Sequence, residues 1–170
     1  MAKRTKLSAR LLPDYTKGEE NMNMITHIVG GALGVVALVL CLLKAIFVGN
    51  GYDLAGSIVY GVSMIGLYTM SSVYHGLKPG MGKKVLQVLD HCAIYFLIAG
   101  TYTPIVVCAL APRYPAIGWG LLVWQWGLTA LAVTLTAIDL KTYQVFSMLC
   151  YIGMGWSINL FLPQTCRVLG

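Results

Sequence analysis

Charge is what this sequence has least of. Only 11% of its 170 residues are Asp, Glu, Lys or Arg, and only six of those are acids. A soluble domain carries roughly a quarter, so water is not the main solvent of this chain. A mean hydropathy of +0.74 points the same way. Histidine is scarce, with three in the chain. Cys41, Cys92, Cys108, Cys150 and Cys166 never form a C-x-x-C pair. That excludes a disulfide framework and the common zinc-ribbon spacing, and leaves thiols that behave as small hydrophobes. No internal repeat, low-complexity tract or second domain is visible.

What the chain has instead is long uninterrupted apolar runs. A helix needs about 20 apolar residues to cross a bilayer, and five segments qualify: about 25–48, 54–77, 85–111, 116–138 and 143–162. Backbone groups in lipid must be satisfied within the segment, so runs of this length are helices and not the short alternating strands of a barrel. The expected fold is an all-α polytopic transmembrane bundle, residues 25–170, preceded by a basic tail, residues 1–24. The tail carries Lys3, Arg4, Lys6, Arg10 and Lys17. The apolar run after it is too long for a signal peptide, which predicts a retained first helix.

Basic residues orient the bundle, since cytoplasmic loops accumulate Lys and Arg. The five in the tail join Lys78, Lys83, Lys84 and Lys141 on one side, against Lys44, Arg113 and Arg167 on the other. The N-terminus is therefore expected in the cytoplasm. The net charge of +6 then reflects topology and anionic inner-leaflet lipid, and not nucleic acid. Membrane lipids are the expected partners, and no protein partner is indicated.

Ionisable groups inside spans are costly, and each is a functional-site hypothesis. His27 falls near the start of helix one, His75 at the end of helix two, and Asp90 with His91 near the start of helix three. This topology puts all four at the cytoplasmic face. Asn23, His27, Gly30 or Gly31, and Gly34 form one stripe on helix one, with Gly30 and Gly34 as a small-residue packing pair. Ser71 stacks one turn below His75. Pro104 removes a backbone donor, and Thr101 and Thr103 can bond the freed carbonyls, which predicts a kink. A histidine at a membrane boundary can be an interfacial side chain only. Three of them beside one acid equally fit a metal site, because neutral imidazole is a common ligand and a neighbouring carboxylate can orient it.

The order of three motifs carries a resemblance. Glu19-Glu20-Asn21 with Asn23 and Thr26-His27-Ile28-Val29-Gly30 comes first, then Ser71-Ser72-Val73-Tyr74-His75. The longest is Leu89-Asp90-His91-Cys92-Ala93-Ile94-Tyr95-Phe96-Leu97-Ile98-Ala99-Gly100-Thr101-Tyr102-Thr103-Pro104. From about Glu19 to Leu162 the sequence resembles the bacterial hemolysin III proteins, within the progestin and adipoQ receptor family. The resemblance implies seven helices, a location in the bacterial plasma (inner) membrane, and a zinc ion near the cytoplasmic side. It implies His75 as a zinc ligand, Asp90 as the group that orients or activates the zinc-bound water, and Ser71 as a supporting residue. The family's two further ligands come from an H-x-x-x-H motif on its last helix, which this sequence does not contain, so the chain reads as truncated or shortened. His27 and His91 are the residues that could substitute. The implied activity is that of a ceramidase-like lipid-amide hydrolase. The alternatives are a non-enzymatic, receptor-like regulator of the membrane and a cytolytic protein. An ion transporter is a further reading, weakened because Asp90 is the lone acid within a span.

Overall fold

The structure is a computed structural model describing residues 5–169. Lys3 and Arg4 of the basic tail, and Gly170, lie outside the described residues. Among the described residues five helices are long and apolar enough to cross a membrane: α1 (Lys17–Val48), α2 (Gly51–Gly76), α3 (Met81–Arg113), α4 (Pro115–Ile138) and α5 (Gln144–Leu169). They run up and down, so the N-terminal tail, the end of α2, the start of α3, the end of α4 and the start of α5 share one end of the bundle. This end is called the tail end below.

Three helices begin or run differently from the expectation, for local reasons. α1 starts at Lys17 and not near 25, because Thr16 and Glu19 form a reciprocal capping box: the Thr16 N–H donates to Glu19 Oε2 at 2.8 Å, and Glu19 N–H donates to Thr16 Oγ1. The tail proper therefore stops at Thr16. α2 starts at Gly51 through a second box, in which Asn50 Oδ1 accepts from Tyr52 N–H at 2.7 Å and Asp53 Oδ2 accepts from Asn50 N–H at 2.9 Å. α3 starts at Met81, so Lys83 and Lys84 lie in its first turn and not in the loop.

Pro104 marks a change in α3 from regular α-helix to a π-helical stretch, Ile105–Leu110. Proline has no N–H for the carbonyl one turn back, and the ladder resumes with wider spacing, Ala111 N–H bonding the Val106 carbonyl. Thr101 and Thr103 donate to the Leu97 and Ala99 carbonyls at 2.8 Å, one turn back from each, and not to the Gly100 carbonyl that Pro104 leaves without its donor. α5 is also interrupted, by a 3-10 segment at Ser157–Phe161. Side chains from neighbouring helices serve that break. Gln125 Nε2 donates to the Met154 carbonyl and to Ser157 Oγ, and Tyr102 donates to the Gly155 carbonyl while accepting from Ile158 N–H. Both residues are buried.

The core lies between α3, α4 and α5, around Tyr95, Ala99, Ala132, Cys150 and Met154. α1 stands at the periphery and packs chiefly on α2. Glycines set the closest approaches: a Cβ on Gly30 would lie 2.7 Å from the Tyr68 ring, and one on Gly56 would lie 2.9 Å from Pro104 Cα. The five cysteines are free thiols.

The tail folds back under the bundle. Thr5 N–H donates to Asp139 Oδ2 at 2.8 Å, Arg10 Nη2 donates to the Ile138 carbonyl at 3.2 Å, and Lys84 Nζ donates to the Ser8 carbonyl at 2.6 Å. A cation at the α4 C-terminus meets the negative end of the helix dipole. The Asp139 carboxyl is held down to about 2, chiefly by the Thr5 N–H and against its burial. A depressed carboxyl stabilises docking above the ordinary carboxyl range and loses that contribution as pH falls through its folded value.

Tail mobility, followed by NMR line widths in detergent, should therefore stay flat from pH 7 to about 4 and rise as pH falls toward about 2; Asp139→Asn should loosen the tail at neutral pH. Gly56→Ala should destabilise the α2–α3 contact by about 1–3 kcal/mol. Gly120, with open space where a Cβ would stand, should accept alanine within about 0.5 kcal/mol in the same thermal unfolding assay.

Candidate functional site

At the tail end α1, α2 and α3 bring one acid and several of its potential partners together. Glu20 lies in the first turn of α1, seven residues before His27 and on the same face. His75 comes from the end of α2 and Lys83 from the first turn of α3. His75 Nδ1 stands 2.6 Å from Glu20 Oε2, and Lys83 Nζ stands 2.6 Å from Glu20 Oε1. The side chains of Lys83, His75 and Glu20 are 4%, 8% and 18% exposed. A third donor bond ties Lys83 Nζ to the Leu77 carbonyl at 3.0 Å, and the ammonium also lies 5.1 Å from the Tyr74 ring centre.

The carboxylate decides the state of the imidazole. Glu20, facing an ammonium, is an acceptor on both oxygens, so His75 must donate Nδ1–H to it. In the neutral ring this leaves Nε2 as a bare lone pair, the tautomer that a carboxylate selects for metal-binding histidines. The rings of Tyr15 and Tyr74 lie 5.7 and 4.7 Å from that of His75, and His27 is 6.2 Å away. His27 Nδ1 is buried without a hydrogen-bond partner, and its ring meets Tyr68 edge-on.

The other expected residues divide. Ser71 is buried one turn below His75. Asp90 lies three turns into α3, and it makes no hydrogen bond or ion pair among the described residues. No polar contact joins it to Glu20, His75 or Lys83 among the described residues. His91 does not join: its Nδ1 pairs with the Gln87 carbonyl of its own helix at 2.8 Å.

Sequence reasoning missed Glu20 and Lys83 as site residues. Glu20 was legible as a further member of the Asn23–His27 stripe. Lys83 was not, because lysine in the first turn of a helix opposes the dipole and reads as a loop charge. Its burial against Glu20 is a tertiary fact.

A catalytic zinc needs three protein ligands and an open position. His75 has the form of one ligand, and the orphaned His27 nitrogen lies beside it. Among the described residues, however, no three His, Cys, Asp or Glu side chains converge to hold a metal. The cluster supplies oriented imidazole and not a complete centre.

Comparison with known proteins supplies the family. The model of a family described as haemolysin-III related matches residues 15–170. The chain belongs to that family. The match takes in every residue of the cluster. The haemolysin-III chain is 37% identical over 142 residues to the hemolysin-3 homolog of Bacillus subtilis, covering 84% of this chain and 65% of that one. It is 39% identical over 140 residues to the hemolysin-3 of Bacillus cereus, covering 82% and 63%. The chain thus spans less than two thirds of the length of these relatives. No solved structure matches it. Family membership and the five spans together make it a multi-pass membrane protein.

Because Glu20 is all that neutralises the buried Lys83, Glu20→Ala should cost about 3–5 kcal/mol, the penalty of a stranded buried charge. Removing both charges, Glu20→Ala with Lys83→Met, should recover most of that loss. Thermal unfolding of the single and double variants in detergent measures both.

Proposed function

We propose that this haemolysin-III protein acts, in its complete form, as a zinc-dependent hydrolase of lipid amides at the tail end of the bundle. The single observation behind the proposal is the 2.6 Å contact of Glu20 with His75 Nδ1. A carboxylate that fixes an imidazole with its Nε2 bare is a device of metal sites. Zinc, when bound, supplies an acidified water and a Lewis acid that polarises an amide carbonyl.

This chain's residues have narrower tasks. Glu20 holds the His75 ring and its proton, and Lys83 keeps Glu20 ionised. Asp90, which makes no hydrogen bond or ion pair among the described residues, takes the role of the carboxylate available for proton transfer in this reading. Ser71 supports the wall below His75. The further ligands must come from outside the described residues. The substrate class is a membrane lipid, reached from the leaflet at the tail end, and the basic tail argues that this is the inner leaflet of a bacterial plasma membrane. The likeness to the progestin and adipoQ receptor family supports the same reading.

One observation favours a second reading. The Lys83 ammonium already balances Glu20 at 2.6 Å, so the cluster is satisfied without a cation, as a non-enzymatic regulator of the membrane would need. Cytolysis, to which the names of the relatives point, finds less support. The buried polar residues of α4, namely Gln125, Thr129 and Thr136, are bonded to α3 or α5 and line no aqueous lane.

Elemental analysis of the detergent-purified chain, beside His75→Ala, distinguishes the two. The hydrolase reading expects zinc in the wild type that is lost in the variant. Absence of zinc from both, in protein purified with zinc present, favours the regulator.

A further inference from the structure

At the opposite end of the bundle from the cluster, α1, α2 and α3 line an open cavity of about 310 Å³. It lies between the last turns of α1, the first turns of α2 and the π-helical stretch of α3. Its walls are apolar for the most part, with Val48, Pro104 and Cys108 among them, and they carry two opposite charges, Lys44 and Asp53. These charges do not satisfy one another. Lys44 forms no hydrogen bond or ion pair among the described residues. Asp53 spends Oδ2 on the Asn50 N–H, and apart from the weak thiol donor of Cys108 its carboxylate has no other side-chain partner among the described residues.

Lys44 is exposed near the C-terminal end of α1, and a cation and a carboxylate that form no ion pair on one cavity wall complement a zwitterion. The size fits a headgroup and not a whole lipid, since pockets for small molecules begin near 300 Å³. The position fits too: the cavity lies at the ends of two spans, the depth of a headgroup, and the α1 surface beside it is a continuous apolar face of exposed Leu40, Leu43, Ile46 and Phe47. The geometry points to a binding site for a zwitterionic phospholipid with a primary ammonium, phosphatidylethanolamine being the simplest. Lys44 receives the phosphate, with a lysine ammonium's freely rotating donors. Asp53 Oδ1 receives the ammonium in a charge-assisted hydrogen bond, and the acyl chains follow the outer face of α1. The site is independent of the tail-end cluster.

The test is native mass spectrometry of the whole chain in detergent, titrated with phosphatidylethanolamine and phosphatidylglycerol of matched acyl chains. Phosphatidylethanolamine should be retained about tenfold more strongly, a difference of one charge-assisted contact. Lys44→Gln should weaken both lipids. Asp53→Asn, which keeps an acceptor for the Asn50 N–H, should weaken phosphatidylethanolamine alone. Equal retention of the two lipids, or either variant binding as the wild type does, overturns the proposal. Soluble glycerophosphoethanolamine competing as well as the lipid would reassign the cavity to free headgroups and also overturn it. Lys44 has no protein partner to lose, so its variant reports on the ligand even if Asp53→Asn shortens α2.

Discussion

Glu20 lies where three helices meet, and the cost of leaving its carboxylate unpaired in a span decides how their ends are arranged. An isolated charge in low dielectric costs several kcal/mol. Two partners answer it, an ammonium from α3 and an imidazole from α2, each at 2.6 Å. The link from α1 to α3 is the more informative. α1 packs chiefly on α2, and in lipid no hydrophobic force drives helices together. The polar contacts at Glu20 therefore fix the register of α1 against its neighbours, and the Gly30–Tyr68 contact two to three turns on permits the approach.

The same economy of polar groups explains the irregular backbone. Pro104 forces a widened ladder in α3, and α5 breaks into a 3-10 segment at the level of Tyr102 and Gln125. Irregular backbone at membrane depth is tolerated only where protein groups satisfy it. At the α5 break the buried side chains Tyr102 and Gln125 do so. The three-helix core is held by these bonds as much as by its apolar contacts, while α1 and α2 are held by the cluster and by glycine. The candidate site lies among α1, α2 and α3, whose mutual packing is the most extensive in the bundle.

Much of this was legible in the sequence. Run length gave five helices, and the placement of His27, His75 and Asp90 at one end followed from alternation of direction alone. Helix starts were less so: the boxes at Thr16–Glu19 and Asn50–Asp53 are short polar signals at the border of apolar runs, and hydropathy discounts polar residues there. His91 reads as a cluster member because it adjoins Asp90, but neighbouring positions on a helix point about 100° apart, so the two cannot both face His75. Lys83 was beyond reach, since its burial depends on where Glu20 comes to rest. The unpaired charges of Lys44 and Asp53 each read as ordinary boundary residues, and only the packing of α1 on α2 puts them in one cavity.

The central claim is that Glu20 fixes His75 with a proton on Nδ1 and a bare Nε2. Nitrogen-15 NMR of the histidine rings in detergent tests it most directly. The account predicts that neutral His75 is held in the Nδ1–H tautomer in the wild type and reverts to a tautomer mixture in Glu20→Gln. A His75 ring already in the Nε2–H tautomer, or one unaffected by the loss of the carboxylate, would contradict it.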